Sequence, residues 1–334
     1  MANSLLDIKP HVVSRDLRGY SILFYGAPKS GKTTIATRFP NSLLLAFELG
    51  YNALPGVKAK PMKNWRDMKT TLKELEDEQV KQIFSNIIID TGDLAYDYCE
   101  KYVCNQNEVN DISDLPFGKG YSLAMKEFDE AIRTILRLGY GCIIISHATD
   151  KTFKDSSGVE FNQIVPTISN KGRLVCERTC DIIAYSREVE VENGLKTMLF
   201  MRGTPRFIAG SRFKYTPDMI EFTYDNLVNA IRDAIDKEAS EHGNQFVTDE
   251  VVQLHADLAK SEDVLDFDTL QAEFQSIVGD LMTIDSNKYQ KEITVVVEKY
   301  LGVGKKVSEC TSKQNDQISL INIDLKEMLS KLQK

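Results

Sequence analysis

One octapeptide, GAPKSGKT at residues 26–33, constrains this chain more than any other stretch. It satisfies G-x-x-x-x-G-K-[ST], follows the apolar run SILFYG (Ser21–Gly26) and precedes a helix candidate at residues 33–39, the setting the pattern requires. Its glycines let the backbone curl so that successive amide N–H groups face a phosphate, and the following helix adds its positive end. Gly26, Ala27, Pro28, Lys29, Ser30, Gly31, Lys32, Thr33 and Thr34 are therefore candidate ATP-binding residues. Lys32 is expected to reach the β- and γ-phosphates, and Thr33 to offer its hydroxyl to Mg²⁺.

Three further apolar runs read as strands buried on both faces: SLLLAFE (42–48), NIIID (86–90) and GCIIIS (141–146). Amphipathic stretches at 65–81 and 122–138 read as crossover helices, the second placing Leu123, Phe128, Ala131, Ile132, Ile135 and Leu138 near helical period before Gly139 stops it. The expectation is an α/β fold with a mostly parallel sheet flanked by helices. After Asp150, DIIAYSREVEVE and LKTMLFMR flank Asn193-Gly194, the signal of an antiparallel hairpin. A helix is expected at 226–239.

These readings divide the chain into a core at 1–239, a polar linker at 240–246 and a small helical domain at 247–334. In the last, Leu254, Leu258, Leu265, Leu270, Phe274, Ile277, Leu281, Val295 to Val297, Leu301, Leu320, Leu325 and Leu329 fall at helical spacing. The formal charge of -8 is uneven: residues 1–235 balance at zero, and residues 236–334 carry the whole excess. A uniformly basic nucleic-acid binder is excluded, while a local basic loop is not. No apolar run approaches a bilayer span and the opening stretch lacks the pattern of a secretory signal, so a cytoplasmic protein without membrane contact is expected. The six cysteines match neither a disulfide framework nor paired zinc knuckles. Cys176 and Cys180 read as packing on one helix face.

Three side chains at strand ends carry the chemistry. Asp90 closes NIIID at the carboxyl edge of a strand, where ligands of parallel sheets bind, and is a candidate Mg²⁺ ligand with Thr33; it could instead cap the next helix. Glu48 closes the second strand and is the candidate general base for an attacking water, a role that favours hydrolysis over transfer to an acceptor; pairing with a lysine is the alternative. His147 follows GCIIIS as a γ-phosphate sensor or a structural histidine.

In this order, GAPKSGKT, LLLAFELG, NIIIDT, IIISHATDK and DIIAYSREVE, with the hairpin and MLFMRGTPRF, the chain resembles a RecA-type P-loop ATPase core over about two thirds of its length. It is most similar to phage RecA-like ATPases, including minimal-core proteins associated with single-strand annealing. The resemblance implies a RecA-like P-loop NTPase core, DNA-dependent ATP hydrolysis, and subunits side by side with ATP at their interfaces. Lys32 and Thr33 match the P-loop pair, Asp90 the Walker B acid, Glu48 the catalytic glutamate and His147 the polar sensor, where RecA proteins proper carry an amide. Arg202, with Arg206 and Arg212 behind it, stands where the family places a finger reaching a neighbour's γ-phosphate; pairing with Glu188 or Glu190 is the alternative.

DNA-facing loops are expected at 105–121 and 149–171. The first holds FGKGY, a lysine among aromatics that could stack on bases; the second offers Lys151, Lys154, Lys171 and Arg173 to phosphates, against Asp111, Asp114, Asp150, Asp155 and Glu160 in the two. The acidic C-terminal domain suits a protein partner. The function expected is a RecA-like ATPase of phage recombination, annealing or repair acting on single-stranded DNA. A replicative helicase or helicase loader shares the same core, and a small-molecule kinase lacks its usual arginine cluster between Asp90 and Gly141.

Overall fold

The computed structural model of the protein describes residues 10–154, 156–192, 194–250 and 266–330. Leu254, Leu258 and Leu265 of the expected helical pattern, Asp155 of the second loop and Asn193 of the hairpin turn lie outside them. The chain divides into two compact units, Met1–Ala259 and Lys260–Lys334.

The first unit contains β1 (Val13–Ser14), β2 (Ser21–Gly26), α1 (Lys32–Ala36), β3 (Ser42–Ala46), β4 (Ala59–Pro61), α2 (Trp65–Glu74), α3 (Glu78–Ile83), β5 (Asn86–Asp90), α4 (Gly92–Gln106), α5 (Lys119–Arg137), β6 (Gly141–Lys154), β7 (Glu160–Pro166), α6 (Asn170–Thr179), β8 (Ile182–Val191), β9 (Gly194–Phe200), β10 (Gly210–Ser211), β11 (Met219–Glu221), α7 (Tyr224–His242) and β12 (Val247–Thr248). The main sheet runs β11-β9-β8-β2-β6-β5-β3-β4. From β8 to β4 every neighbour is parallel, and β9 and β11 add an antiparallel edge. This is the expected α/β P-loop architecture, with β6 inserted between the P-loop strand and the strand that ends in Asp90.

Period-two alternation divides the strands between two cores. Leu45, Ile87, Ile89 and Ile144 pack against Trp65 and Met68 of α2, Tyr96 and Cys99 of α4, and Phe128 and Ile132 of α5. On the other face Phe24, Leu44, Ile88, Ile143 and Ile145 meet Ala36 of α1 and Leu227, Ile231 and Ile235 of α7. Both faces are covered, which is why these strands are apolar throughout.

Several expected boundaries move. The helix expected at 65–81 is two, because Asp77 caps Gln79 and restarts the chain as α3. α4, which sequence reading did not mark, begins where Thr91 caps Leu94 and buries Tyr96, Cys99 and Val103. The loop expected at 149–171 is mostly a hairpin: β6 runs on to Lys154 and pairs antiparallel with β7 from Ala148↔Pro166 to Lys154↔Glu160. Phe153 stacks on Phe161 with centroids 5.9 Å apart. The loop expected at 105–121 shrinks, since α4 reaches Gln106 and α5 begins at Lys119.

The expected linker at 240–246 is also corrected. α7 continues to His242, and Val247 and Thr248 then pair in parallel with Val13 and Ser14, with Arg15 N–H donating to Thr248 O at 2.9 Å. Backbone pairing therefore holds this segment in the first unit, and the division falls after Ala259.

The second unit is helical: α8 (Phe267–Leu301) and α9 (Asn315–Ser330). α8 breaks at Asp285, whose carboxylate accepts from Lys288 N–H at 3.1 Å and so caps its second half. Leu270, Ile277, Leu281, Ile293, Val297, Ile318, Ile321 and Leu325 form its core. Val295 and Leu320, expected as anchors, face solvent, because the buried face runs through Ile293 and Val297 on α8 and through Ile318, Ile321 and Leu325 at i, i+3, i+7 on α9.

Candidate active site

The register of the parallel strands brings their carboxyl ends together. Gly26 of β2 lies beside His147 on one side and Ser186 on the other, and Asp90 of β5 lies between Ala46 and Ile145. β3 ends at Ala46, earlier than expected, and Phe47 and Glu48 both turn their N–H groups onto Asp90 O, at 2.8 and 3.2 Å. That turn carries the Glu48 carboxylate to 3.8 Å from His147 Nε2. Glu48 thus pairs with His147 rather than with a lysine. His147 Nδ1 is buried with no partner among the described residues.

The loop before α1 reverses through left-handed backbone at Lys29 (φ 62) and Gly31 (φ 83). At Gly26 a Cβ would fall 2.2 Å from Ser186 Oγ, so the loop needs glycine there for close approach to β8. Ser186 Oγ also lies 2.9 Å from Ser30 Oγ, tying the middle of the loop to β8. Lys32 is almost fully buried, and its Nζ donates to Gly26 O at 3.0 Å and Ala27 O at 2.7 Å. Burial lowers its pKa to about 8, while the charges of Asp90, Glu48 and Asp93 pull the other way. Thr33 Oγ1 donates to Asp90 Oδ2 at 2.8 Å.

A hydroxyl and a carboxylate in contact beside a phosphate cradle fit Mg²⁺, which takes one or two carboxylates with its phosphates rather than an all-protein cage. Among the described residues, no group of three or more His, Cys, Asp or Glu could hold a metal ion by itself.

Two contributors escaped sequence reading. Ser186 ends the apolar stretch of β8 beside the P-loop, and Asp93, three residues after Asp90, accepts from Ser146 Oγ at 3.1 Å and from Thr167 Oγ1. Both are polar residues at or just beyond a buried strand end, the signal that did find Asp90 and His147. The arginines are not beside Lys32. Arg202 donates to Thr216 O at 3.2 Å and to Lys214 O, closing that turn, and Arg212 pairs with Asp181 at 3.1 Å. None of this engages Glu188 or Glu190. Arg206 is exposed.

A profile described as AAA domain matches residues 18–213, more than half of the chain. The chain belongs to the AAA domain family. Over 341 residues this AAA domain protein is 31% identical to the SPbeta prophage-derived uncharacterized protein YorG of Bacillus subtilis (strain 168), covering 99% of this chain and all of that one. Among solved structures it is similar to the KaiC-like protein PH0186 of Pyrococcus horikoshii OT3, at 13% identity and a TM-score of 0.33 over 61% of this chain and 90% of that one. The family and the P-loop make this a nucleotide-binding P-loop ATPase. Among the described residues, no helix is long and apolar enough to cross a membrane.

Asp90 supplies a pH-dependent prediction. Its carboxyl is 3% exposed, and burial raises its pKa from 3.8 to about 6, with the Thr33 hydrogen bond and Lys32 opposing. The folded state therefore holds the proton more tightly than the unfolded chain. Stability is fully retained below about pH 3.8 and is lost as pH rises through about 6. At pH 8 the ionised group should cost about 2–3 kcal/mol, at 1.36 kcal/mol per pH unit. Asp90→Asn, which keeps an oxygen for Thr33, should stabilise the protein by that order at pH 8 and by almost nothing at pH 4. Urea melts of both proteins across this range check it; a difference independent of pH would contradict the buried-charge account.

Proposed function

We infer that this protein is a magnesium-dependent ATPase of RecA type whose turnover is coupled to single-stranded DNA, acting in phage recombination or annealing. The observation that carries the reading is the meeting of Lys32, Thr33, Asp90, Glu48 and His147 at one edge of the parallel sheet. Lys32 sets its charge against the phosphates, and Thr33 and Asp90 would hold Mg²⁺. The ion, when bound, neutralises charge on the β- and γ-phosphate oxygens. Glu48 orients the attacking water and takes its proton, and His147 holds the Glu48 carboxylate from the far side.

DNA coupling is supported by exposed aromatics in the segments expected to face DNA: Phe117 and Tyr121 before and in α5, and Phe161 on the hairpin. The cations there are partly spent within the chain, since Lys151 bonds Asn170 at 2.7 Å and Lys154 pairs with Glu160 at 3.2 Å. Stacking should therefore outweigh phosphate contacts. The prophage origin of the Bacillus relative supports the phage setting. The same reading has subunits side by side, ATP at their interfaces, and Arg202 or the exposed Arg206 turned toward a neighbour.

The deciding measurement is ATP turnover with and without single-stranded DNA. A rise of roughly tenfold, within the usual range of coupling between two sites, is expected. An equal rate in both leaves an ATPase without a DNA role, and stimulation only by a phosphate acceptor such as a nucleoside replaces the reading with a kinase.

A further inference from the structure

The β6–β7 hairpin leaves the sheet directly beyond the candidate site, and both of its legs are fastened at one point. On the outgoing leg, Ser146 Oγ donates to Asp93 Oδ1 at 3.1 Å. On the returning leg, Thr167 donates its N–H to His147 O at 3.0 Å and its hydroxyl to the same Asp93 oxygen. Asp93 sits in the first turn of α4, which starts two residues after Asp90. Its Oδ2 is buried with no partner among the described residues, so the carboxylate is committed to this joint through Oδ1.

Alternation along β6 gives the joint a mechanical consequence. Ile144 packs into the α4 face of the sheet and Ile143 and Ile145 into the α1 face. Ser146 therefore follows Ile144 toward Asp93, and His147 follows Ile145 toward Thr33, Asp90 and Glu48. Movement of the hairpin legs that strains the Asp93 joint would also rotate the segment carrying His147. The hairpin foot is held on its other edge as well, by Ile164 N–H to Arg206 O at 2.7 Å and Ile208 N–H to Ile164 O at 3.3 Å. A foot pinned on both edges transmits displacement instead of absorbing it.

We propose that Asp93 and Thr167 are positioning residues that latch the hairpin foot to the helix behind Asp90, so that nucleotide state and hairpin conformation report on each other. The proposal rests on the ATP-binding reading above and is independent of DNA. Coupling between two sites is reciprocal, so the nucleotide's effect on the hairpin can be read directly.

The experiment is hydrogen exchange of the hairpin amides in the full chain, with and without a slowly hydrolysed ATP analogue and Mg²⁺, with binding of a fluorescent ATP analogue measured on the same samples. In the wild type the analogue should slow exchange of the hairpin by roughly fivefold or more, the lower end of common coupling factors. Thr167→Val keeps the backbone bond to His147 but removes the hydroxyl; it should bind the analogue normally and lose most of that protection. Thr167→Ser, which restores the hydroxyl, should recover it. Should Thr167→Val fail to fold, Ser146→Ala removes the other donor to Asp93 and should blunt the response in the same direction.

A wild type that binds the analogue without any hairpin response overturns the latch, as does a folded Thr167→Val protein, or Ser146→Ala in its place, with the full response. Absence of analogue binding overturns the ATP-binding reading and the latch with it. A hairpin response without DNA-stimulated turnover supports the latch and sinks only the DNA reading.

Discussion

Replacing Lys32 with alanine should lower ATP turnover by at least about 10²–10³-fold, the worth of a pre-aimed charge in a water-poor site. The fold should survive, because the Lys32 ammonium bonds only to the loop that carries it, through Gly26 O, Ala27 O and the Ser30 hydroxyl. Burial also depresses the pKa of Lys32 to about 8, so the folded state binds its proton less tightly than the unfolded chain. Its stability contribution rises with pH between about 8 and the ordinary lysine value of 10.5, and at pH 7 the charged side chain costs free energy. The alanine protein should therefore melt at or above the wild-type temperature at pH 7, with that advantage shrinking by pH 10. Turnover and thermal melts on one preparation decide the matter. A well-folded Lys32→Ala protein with unchanged turnover would remove this loop from the active site.

Glu48→Gln should slow hydrolysis by about 10²–10⁴-fold while leaving ATP binding intact, as expected when a positioned base becomes an amide that cannot take a proton. Its placement favours this outcome over a structural role. The carboxylate is half-exposed at the sheet edge, its backbone is fixed by Asp90 O, and it lies 3.8 Å from Nε2 of His147, another strand-end residue of the same site. Glutamine keeps the shape and most of the hydrogen-bonding capacity, so a binding defect is not expected. Nucleotide affinity and single-turnover hydrolysis, measured side by side, separate the two roles. Weak binding with a normal hydrolytic step would return Glu48 to a structural part and leave water activation to another group.

The parts of the site that were legible in sequence share one property: each is a local pattern. Gly26 to Thr33 between a strand and a helix carries its own geometry, and Asp90 was found because a carboxylate closes a continuous apolar strand. Ser186 went unread because its strand runs on into the alternating segment of β8, which masks the strand end beside the P-loop. Asp93 belongs to a helix with weak amphipathic pattern, whose buried Tyr96 and Cys99 do not mark a stripe as sharply as the leucines and isoleucines of α5. The hairpin pairing 148–154 with 160–166 reads as a loop in the sequence because both of its faces meet solvent, leaving no sustained apolar alternation until Ile164 and Val165 at its foot. Arg202 marks the limit of local pattern: its place beside the hairpin is legible in the sequence, while its carbonyl contacts at Lys214 and Thr216 depend on a turn that only the folded chain forms.

By itself, the sequence determined the class of the molecule. Runs of branched apolar residues with no polar face must be covered on both sides, which forces strands between layers of helices, and a glycine-rich turn between strand and helix forces a phosphate cradle. Only the tertiary structure decided who meets whom. Strand order is a matter of long-range pairing, on which local periodicity is silent, and it is the insertion of β6 between β2 and β5 that sets His147 beside Gly26 and within 3.8 Å of Glu48. The same insertion sends the continuation of β6 out past the site as a hairpin and brings Ser146 and Thr167 onto one oxygen of Asp93.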